Sequence, residues 1–141
     1  MFGSLGAPRS LRITFRDRDC TTSGELLVTP MGPRLYRLEE PPFLWLDGIV
    51  ARDVIEADEA ADGSLLFRQV VSHSGLQRLL DCFSKSTIDH PRFKRLCEMI
   101  LRAGGSWSID MGGVAVFDLP PQAVPSVQKV LRDLGRELAG S

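Results

Sequence analysis

The sequence has few of the side chains that metal centres and disulfide scaffolds require. Its 141 residues include 3 cysteines and 2 histidines. The cysteines, Cys20, Cys82 and Cys97, are odd in number and lack Cys-x-x-Cys spacing, which predicts reduced thiols in a cytoplasmic protein. A tetrahedral zinc site needs about four ligands. Because Cys82 and His90 would supply only part of such a set, we expect neither a metal ion nor another cofactor.

Long apolar runs and an excess of charge of one sign are also missing. No stretch approaches the roughly 20 apolar residues of a transmembrane helix. Residues 1–10 lack the basic start and apolar core of a signal peptide, and we expect them to form a flexible N-terminus. The formal net charge is -1, so no strong field gathers phosphate backbones or anionic lipids. The sequence therefore predicts neither nucleic acid nor a membrane as a partner.

Catalytic motifs are equally scarce. The sequence contains no Gly-x-Ser-x-Gly nucleophile elbow, and the one suggestive cluster is Ser72-His73-Ser74. Adjacent residues of a strand point to opposite faces, so His73 is poorly placed to activate either serine. A turn in which these side chains cap backbone groups is the simpler interpretation. We therefore favour a binding protein over an enzyme.

Residues 11–75 have the pattern of a small five-stranded β-barrel or rolled sheet. Apolar and polar residues alternate in short runs separated by turn-forming residues, as in small all-β units. The predicted strands cover residues 11–16, 24–29, 34–38, 53–57 and 65–71. A polar loop is expected over residues 17–23 and a turn at Pro30-Met31-Gly32-Pro33. A second turn is expected at residues 61–64, where Gly63 can adopt a positive φ.

The most apolar stretch of this half lies between the two predicted hairpins, at residues 41–50. It carries Phe43 and Trp45 and lacks a clean alternation. Large aromatic side chains are usually buried when they can be, so we favour a loop that plugs one mouth of the barrel. A ligand-binding surface is the alternative.

Residues 76–141 predict an open α+β sheet. A strand is predicted over residues 76–83, although the spacing of its apolar residues also fits a helical turn. It precedes a helix with Asp89 as its N-cap and Pro91 in its first turn. The apolar face of that helix recurs at helical spacing up to Gly104 and comprises Phe93, Leu96, Cys97, Ile100 and Leu101. A hairpin follows, with strands 106–110 and 114–117. The last element is a helix with apolar residues from Val127 to Leu138, which Gly135 is expected to shorten.

The resulting order, βαββα, is a ferredoxin-like unit without its closing strand. An unfinished sheet leaves an edge of unpaired backbone groups, which a partner chain or a second copy would complete. The edge beside Trp107 or Phe117 is therefore one expected contact surface. It is the best indication of function that the sequence offers.

The chain also resembles a bacterial family known as a domain of unknown function (DUF4265-like). The most specific piece is Asp53-Val54-Ile55-Glu56-Ala57, followed by Asp62-Gly63 and by Val70-Val71 before Ser74-Gly75. The resemblance covers roughly residues 11–134 and implies a two-part protein with a β-rich front and an α+β back. Because the shared positions are turn formers and core residues, it implies no catalytic residues.

Two hypotheses of function follow. The first is a non-enzymatic bacterial protein-binding module, such as an immunity or antitoxin-like inhibitor of a toxin, that binds a protein partner or forms a homo-oligomer. Its expected contact residues are Phe43, Leu44, Trp45, Glu56, Asp58, Glu59, Trp107 and Phe117. The second is a small-molecule-binding or hydrolytic module with a pocket between the two halves, lined by His73, Ser74 and Arg78.

Overall fold

The computed structural model describes residues 6–16, 21–43 and 48–138. The chain divides into two units, Met1–Ser74 and Gly75–Ser141, so the division falls one residue before the predicted boundary. Leu44 and Trp45 lie outside the described residues, and so do the polar residues 17–20.

Five strands of the first unit close into a barrel. They are β1 (Arg9–Arg16), β2 (Thr21–Gly32), β3 (Leu35–Leu38), β4 (Val54–Glu59) and β5 (Leu65–Ser72). Successive strands pair antiparallel, and β1 pairs parallel with β5, with Ile13 opposite Leu65, which closes the sheet. The predicted small five-stranded barrel is confirmed.

The inward positions of these strands form the core of the first unit. Alternate residues face the barrel interior, as the two-residue period of a strand requires. The largest fully buried side chains among them are Ile13, Val28, Leu38, Ile55 and Leu65. Phe67 and Phe43 pack against the same cluster, and Phe67 lies with its ring centroid 5.0 Å from that of Phe15.

Three details of the barrel differ from the sequence prediction. Residues 21–23 belong to β2 instead of a loop, because they extend the pairing with β1 as far as Thr21 opposite Arg16. The predicted hairpin of β2 and β3 is present, but its turn lies at residues 33–34 instead of 30–33, because β2 continues through Pro30 to Gly32 across a register shift. In this turn Arg34 adopts a φ of 62°. The predicted flexible N-terminus also ends earlier, since Arg9 and Ser10 already pair in β1.

The second unit contains a three-stranded antiparallel sheet and its helices. In chain order these are β6 (Gln77–Cys82), α1 (Lys85–Ile88), α2 (Pro91–Arg102), β7 (Ser106–Asp110), β8 (Val114–Leu119), a 3-10 turn (Pro121–Ala123) and α3 (Val124–Leu138). The strand order is β6-β8-β7. This is the order of the first three strands of a ferredoxin-like unit, so the predicted incomplete βαββα arrangement is confirmed.

Helices α2 and α3 share one core with the central strand β8. The buried members of this core from the two helices and the strand are Phe93, Leu96, Cys97, Ile100, Val127, Leu131, Leu134, Ala115, Phe117 and Leu119. Since Leu79 of β6 and Trp107 of β7 pack against the same cluster, both helices cover one face of the sheet.

The start of α2 differs from the prediction by one residue. The N-cap is His90, whose Nδ1 accepts a hydrogen bond from the Arg92 backbone N–H at 3.1 Å. Asp89 ends the unpredicted short helix α1 instead, because its backbone N–H donates to the Lys85 carbonyl. Gly135 does not shorten the last helix, which continues to Leu138.

Candidate functional site

The outer side of β6 is an unpaired sheet edge. Within the described residues β6 pairs with β8 alone. The Phe83 N–H donates to the Gly113 carbonyl at 2.8 Å. Hydrogen-bonded pairs alternate along two antiparallel strands, so the N–H and C=O groups of Asp81, Leu79 and Gln77 also point towards β8. The N–H and C=O groups of Arg78 and Leu80 therefore point away from β8. This edge presents backbone donors and acceptors to an incoming strand.

A groove runs beside this edge, between β6 and helix α3. Its volume is about 320 Å³, and its lining residues are Leu79, Leu80, Asp81, Gln128, Leu131 and Arg132. Leu79 and Leu131 also belong to the core packing of the unit, which gives the groove an apolar floor. The side chain of Leu80 is 53% exposed. The groove thus joins apolar side chains to the unpaired backbone.

The geometry of β6 is held by charged side chains on both sides of Leu80. Arg78 forms an ion pair with Asp118 of β8, with Nε 2.8 Å from Oδ1. Asp81 accepts a hydrogen bond from the Cys82 N–H at 2.8 Å, which satisfies one outward backbone donor. Natural sheet edges are often blunted by prolines, bulges or free charges. In β6 the two charges are engaged locally, and no proline or register shift interrupts residues 77–82.

The other edge strand, β7, borders a second groove of about 330 Å³ under α2. Trp107 and Cys97 line it, and Trp107 meets the ring of Phe93 edge-on at a centroid distance of 6.5 Å. Burial raises the pKa of the Cys97 thiol to about 11, so that thiol stays protonated near neutral pH. Trp107 thus lies on an edge strand, as the sequence analysis expected.

Phe117 does not lie at an edge. It is on the central strand β8 and is 0% exposed. Its neighbours are Leu79 on β6 and Trp107 on β7. The expectation that Phe117 offers a contact surface is therefore wrong, because strand 114–117 occupies the middle of the sheet.

Phe43 packs onto the barrel instead of standing free. Its ring meets Phe15 edge-on at a centroid distance of 5.8 Å, and it lies against the backbone of Gly24. This placement agrees with the predicted plug of the barrel. The neighbouring predicted contacts Leu44 and Trp45 lie outside the described residues.

The acidic segment at the end of β4 carries its own counter-charges. Asp58 forms ion pairs with Arg68 and Arg34, and these hydrogen bonds hold the pKa of Asp58 below its ordinary value. Glu56 accepts a hydrogen bond from Gln69, and Glu59 is exposed at the strand end. Two of the three acidic residues expected as protein contacts, Asp58 and Glu56, are therefore engaged within the barrel unit.

The three residues of the alternative pocket each have contacts inside their own unit. Ser74 donates its backbone N–H to Asp53 Oδ1 at 2.7 Å and its hydroxyl to the Ala51 carbonyl at 2.8 Å. His73 is 70% exposed, and its Nδ1 lies 3.7 Å from Asp53 Oδ2. Arg78 belongs to the second unit and binds Asp118. The pocket lined by these three residues stays a prediction.

Four residues that line the candidate groove were not predicted from the sequence: Leu80, Asp81, Gln128 and Arg132. The order of the elements, βαββα, does indicate where the unpaired edge lies. In a complete ferredoxin-like unit the closing strand pairs with the first strand, so the vacant place lies beside β6. The open edge was expected instead at the later hairpin, beside Trp107 or Phe117.

No model of a known protein family matches the chain, and no curated protein matches it. Among solved structures, the chain is similar to a hypothetical protein from Neisseria gonorrhoeae, with a TM-score of 0.56 and 16% sequence identity. The similarity covers 94% of this chain and 89% of that one. It supports the barrel-plus-α+β architecture, and the resemblance to DUF4265-like domains stays a prediction.

Among residues 6–16, 21–43 and 48–138, no helix has both the length and the apolar character that crossing a membrane requires. No three side chains of His, Cys, Asp or Glu among them lie close enough together to hold a metal ion.

Proposed function

We propose that this protein is a non-enzymatic protein-binding module whose working surface is the open edge of β6 together with the groove beside α3. The observation that carries the proposal is the outward direction of the Arg78 and Leu80 backbone groups on an exposed strand. An extended segment added to such an edge gains backbone hydrogen bonds along its length. Leu79 and Leu131 supply the apolar floor on which its side chains would pack.

The placement of the buried charges also favours binding over catalysis. Asp118 and Asp53 are buried, and the Glu39 side chain is 8% exposed. Asp118 binds Arg78, Asp53 accepts backbone N–H groups, and Glu39 lies between Arg37 and Arg52. Each of them holds its own unit together. These carboxylates are therefore committed to structure, whereas the β6 edge is exposed.

An immunity or antitoxin-like inhibitor is a specific form of this proposal. Such a protein acts by covering a surface of its target, which needs a rigid edge and no catalytic group. The edge strand β6 is rigid in this sense because the Arg78–Asp118 pair ties it to the central strand. Retention from a host lysate, described next, identifies the partner protein.

The experiment uses two substitutions of the same residue. Leu80→Pro removes an N–H that points away from β8, so it blocks strand addition while the pairing with β8 is retained. Leu80→Ala removes the same side chain and keeps the N–H. The tagged wild type and both variants are incubated with a lysate of the native host and with untagged chain, and retained proteins are quantified by mass spectrometry.

We expect a stoichiometric protein that the wild type and Leu80→Ala retain and that Leu80→Pro loses. A second control, Leu101→Ala, changes another leucine with 53% exposure that lies on α2, away from the β6 edge. It should leave retention unchanged. Equal retention by Leu80→Pro and Leu80→Ala, or the absence of any retained protein, would refute the proposal.

A further inference from the structure

The residues of β6 are complementary to themselves. The segment from Gln77 to Asp81 has a leucine, Leu79, at its centre. When this segment is laid antiparallel on a second copy with Leu79 opposite Leu79, the amide of Gln77 faces the carboxylate of Asp81. On the other face of the sheet, the aliphatic part of Arg78 lies opposite the exposed Leu80. Opposed residues of an antiparallel pair share a face and contact one another.

We infer that a second copy of this chain occupies the β6 edge, with the two strands antiparallel about a two-fold axis at Leu79. The inference rests on the proposed function, since it names the partner for the same edge. The axis stands perpendicular to the sheet, so the helices of both copies cover the same face of a continuous sheet. Such an interface uses the same patch on both subunits.

The direction of the backbone groups restricts the possible registers. Only residues whose N–H and C=O point outward can bond across the edge, and these are Arg78, Leu80 and Cys82. Three symmetric registers bring at least two pairs of outward residues opposite each other, and they are centred on Leu79, Leu80 and Asp81. The register centred on Asp81 is unfavourable, because it places the Asp81 carboxylates of the two copies directly opposite each other. A register that mixes outward and inward residues forms no ladder.

The register centred on Leu79 suits the side chains better. Its central hydrogen bonds join Arg78 to Leu80 of the second copy and do not need the Cys82 N–H, which Asp81 already engages. The register centred on Leu80 would place the Asp81 carboxylate opposite Leu79 of the second copy. It would also require Asp81 to release the Cys82 N–H. Burying a carboxylate against an apolar side chain is unfavourable.

Helix α3 adds a second contact in the same arrangement. Gln128 and Arg132 line the groove beside Asp81, on the face of the sheet that the helices cover. With the axis at Leu79, the two α3 helices approach each other above the paired strands. Arg132 stays beside Asp81 of its own copy, because Asp81 of the second copy lies opposite Gln77 at the other end of the paired segment.

Engineered cysteines distinguish the registers centred on Leu79 and Leu80. A single substitution forms a symmetric disulfide only at the residue on the axis. In a non-hydrogen-bonded pair the Cα atoms lie about 4.5 Å apart, within the range of disulfides. Leu79→Cys and Leu80→Cys are each made with Cys20→Ser and Cys82→Ser, whereas the buried Cys97 is retained.

We expect the wild type to have the mass of a dimer by light scattering, Leu80→Pro to have that of a monomer, and Leu79→Cys to form the covalent dimer on mild oxidation. Covalent dimer from Leu80→Cys instead of Leu79→Cys would overturn the register. A dimer mass that Leu80→Pro leaves unchanged would overturn the use of this edge.

A charge rescue tests the same pairing without cysteines. Gln77→Glu places two carboxylates opposite each other in both symmetric pairs and should weaken the dimer about two- to thirtyfold. Adding Asp81→Lys should restore the affinity, because glutamate then faces lysine. The inference is overturned if the double variant is weaker still.

The outcome also separates this inference from the proposed function. If the wild type is a monomer and a lysate protein is retained in a Leu80→Pro-sensitive manner, self-pairing is wrong and the proposed function stands. If the chain is a monomer and retains nothing, both fail.

Discussion

The guanidinium of Arg78 binds both carboxylate oxygens of Asp118. Nε donates to Oδ1 at 2.8 Å and Nη2 donates to Oδ2 at 2.9 Å. The two residues lie directly opposite each other on β6 and β8, Asp118 is 0% exposed, and the Arg78 side chain is 14% exposed. This two-pronged contact fastens the open strand to the centre of the sheet.

Removing the guanidinium should therefore destabilise the second unit strongly. Arg78→Met leaves the buried Asp118 carboxylate without its cation, and we expect a loss of about 3–5 kcal/mol in the free energy of unfolding. The double variant Arg78→Met with Asp118→Leu replaces both charges by apolar groups and should recover most of the loss. Urea unfolding of the two variants measures the difference. Equal losses in both would show that the loss does not come from an unpaired buried carboxylate.

Asp53 has a comparable role in the barrel unit. Its carboxylate accepts the Val50 N–H at 3.0 Å and the Ser74 N–H at 2.7 Å, and the residue is fully buried. Asp53→Asn turns one accepting oxygen into a donor, so we expect the free energy of unfolding to fall by about 1–3 kcal/mol. His73→Gln is the control, since His73 is largely exposed and should change stability by less than about 0.5 kcal/mol. Thermal melts of both variants provide the comparison.

The periodic segments of this fold can be predicted from the sequence because their packing is local. Ile13 and Phe15 alternate with polar residues, and both are buried in the barrel. Phe93, Leu96 and Ile100 follow helical spacing, and all three are buried on one face of α2. In each case the period alone determines which face turns inward.

Other features depend on residues that are distant in the sequence, so the pattern does not reveal them. Pro30 lies inside β2 because a register shift opposite Tyr36 accommodates it. Asp58 lies in an acidic stretch of the sequence, and only the fold brings Arg34 and Arg68 beside it. The candidate site also depends on distant residues, because Leu80 and Arg132 line one groove only when α3 packs beside β6.

Gly24 and Phe43 fit together closely at the barrel. A Cβ at position 24 would lie 2.6 Å from two ring carbons of Phe43, so the ring would have to move. Gly24→Ala should therefore cost about 1–3 kcal/mol of stability through overpacking. Together with Phe43→Ala the same change should cost much less, because the ring is gone. A double-mutant cycle by urea unfolding measures this coupling, and strictly additive effects would show that the two residues do not interact.

The two neighbouring residues Ile100 and Leu101 of α2 provide the sharpest test of the second core. Ile100 is fully buried between the helices and β8, whereas Leu101 is 53% exposed. Ile100→Asp buries an unpaired charge and should cost more than about 4 kcal/mol, enough to unfold residues 75–141. Leu101→Asp introduces the same charge one position later and should change stability by about 0.5 kcal/mol or less. Hydrogen exchange followed by mass spectrometry reports protection of the second unit in both variants, and a protected second unit in Ile100→Asp would show that this helix face does not form the core.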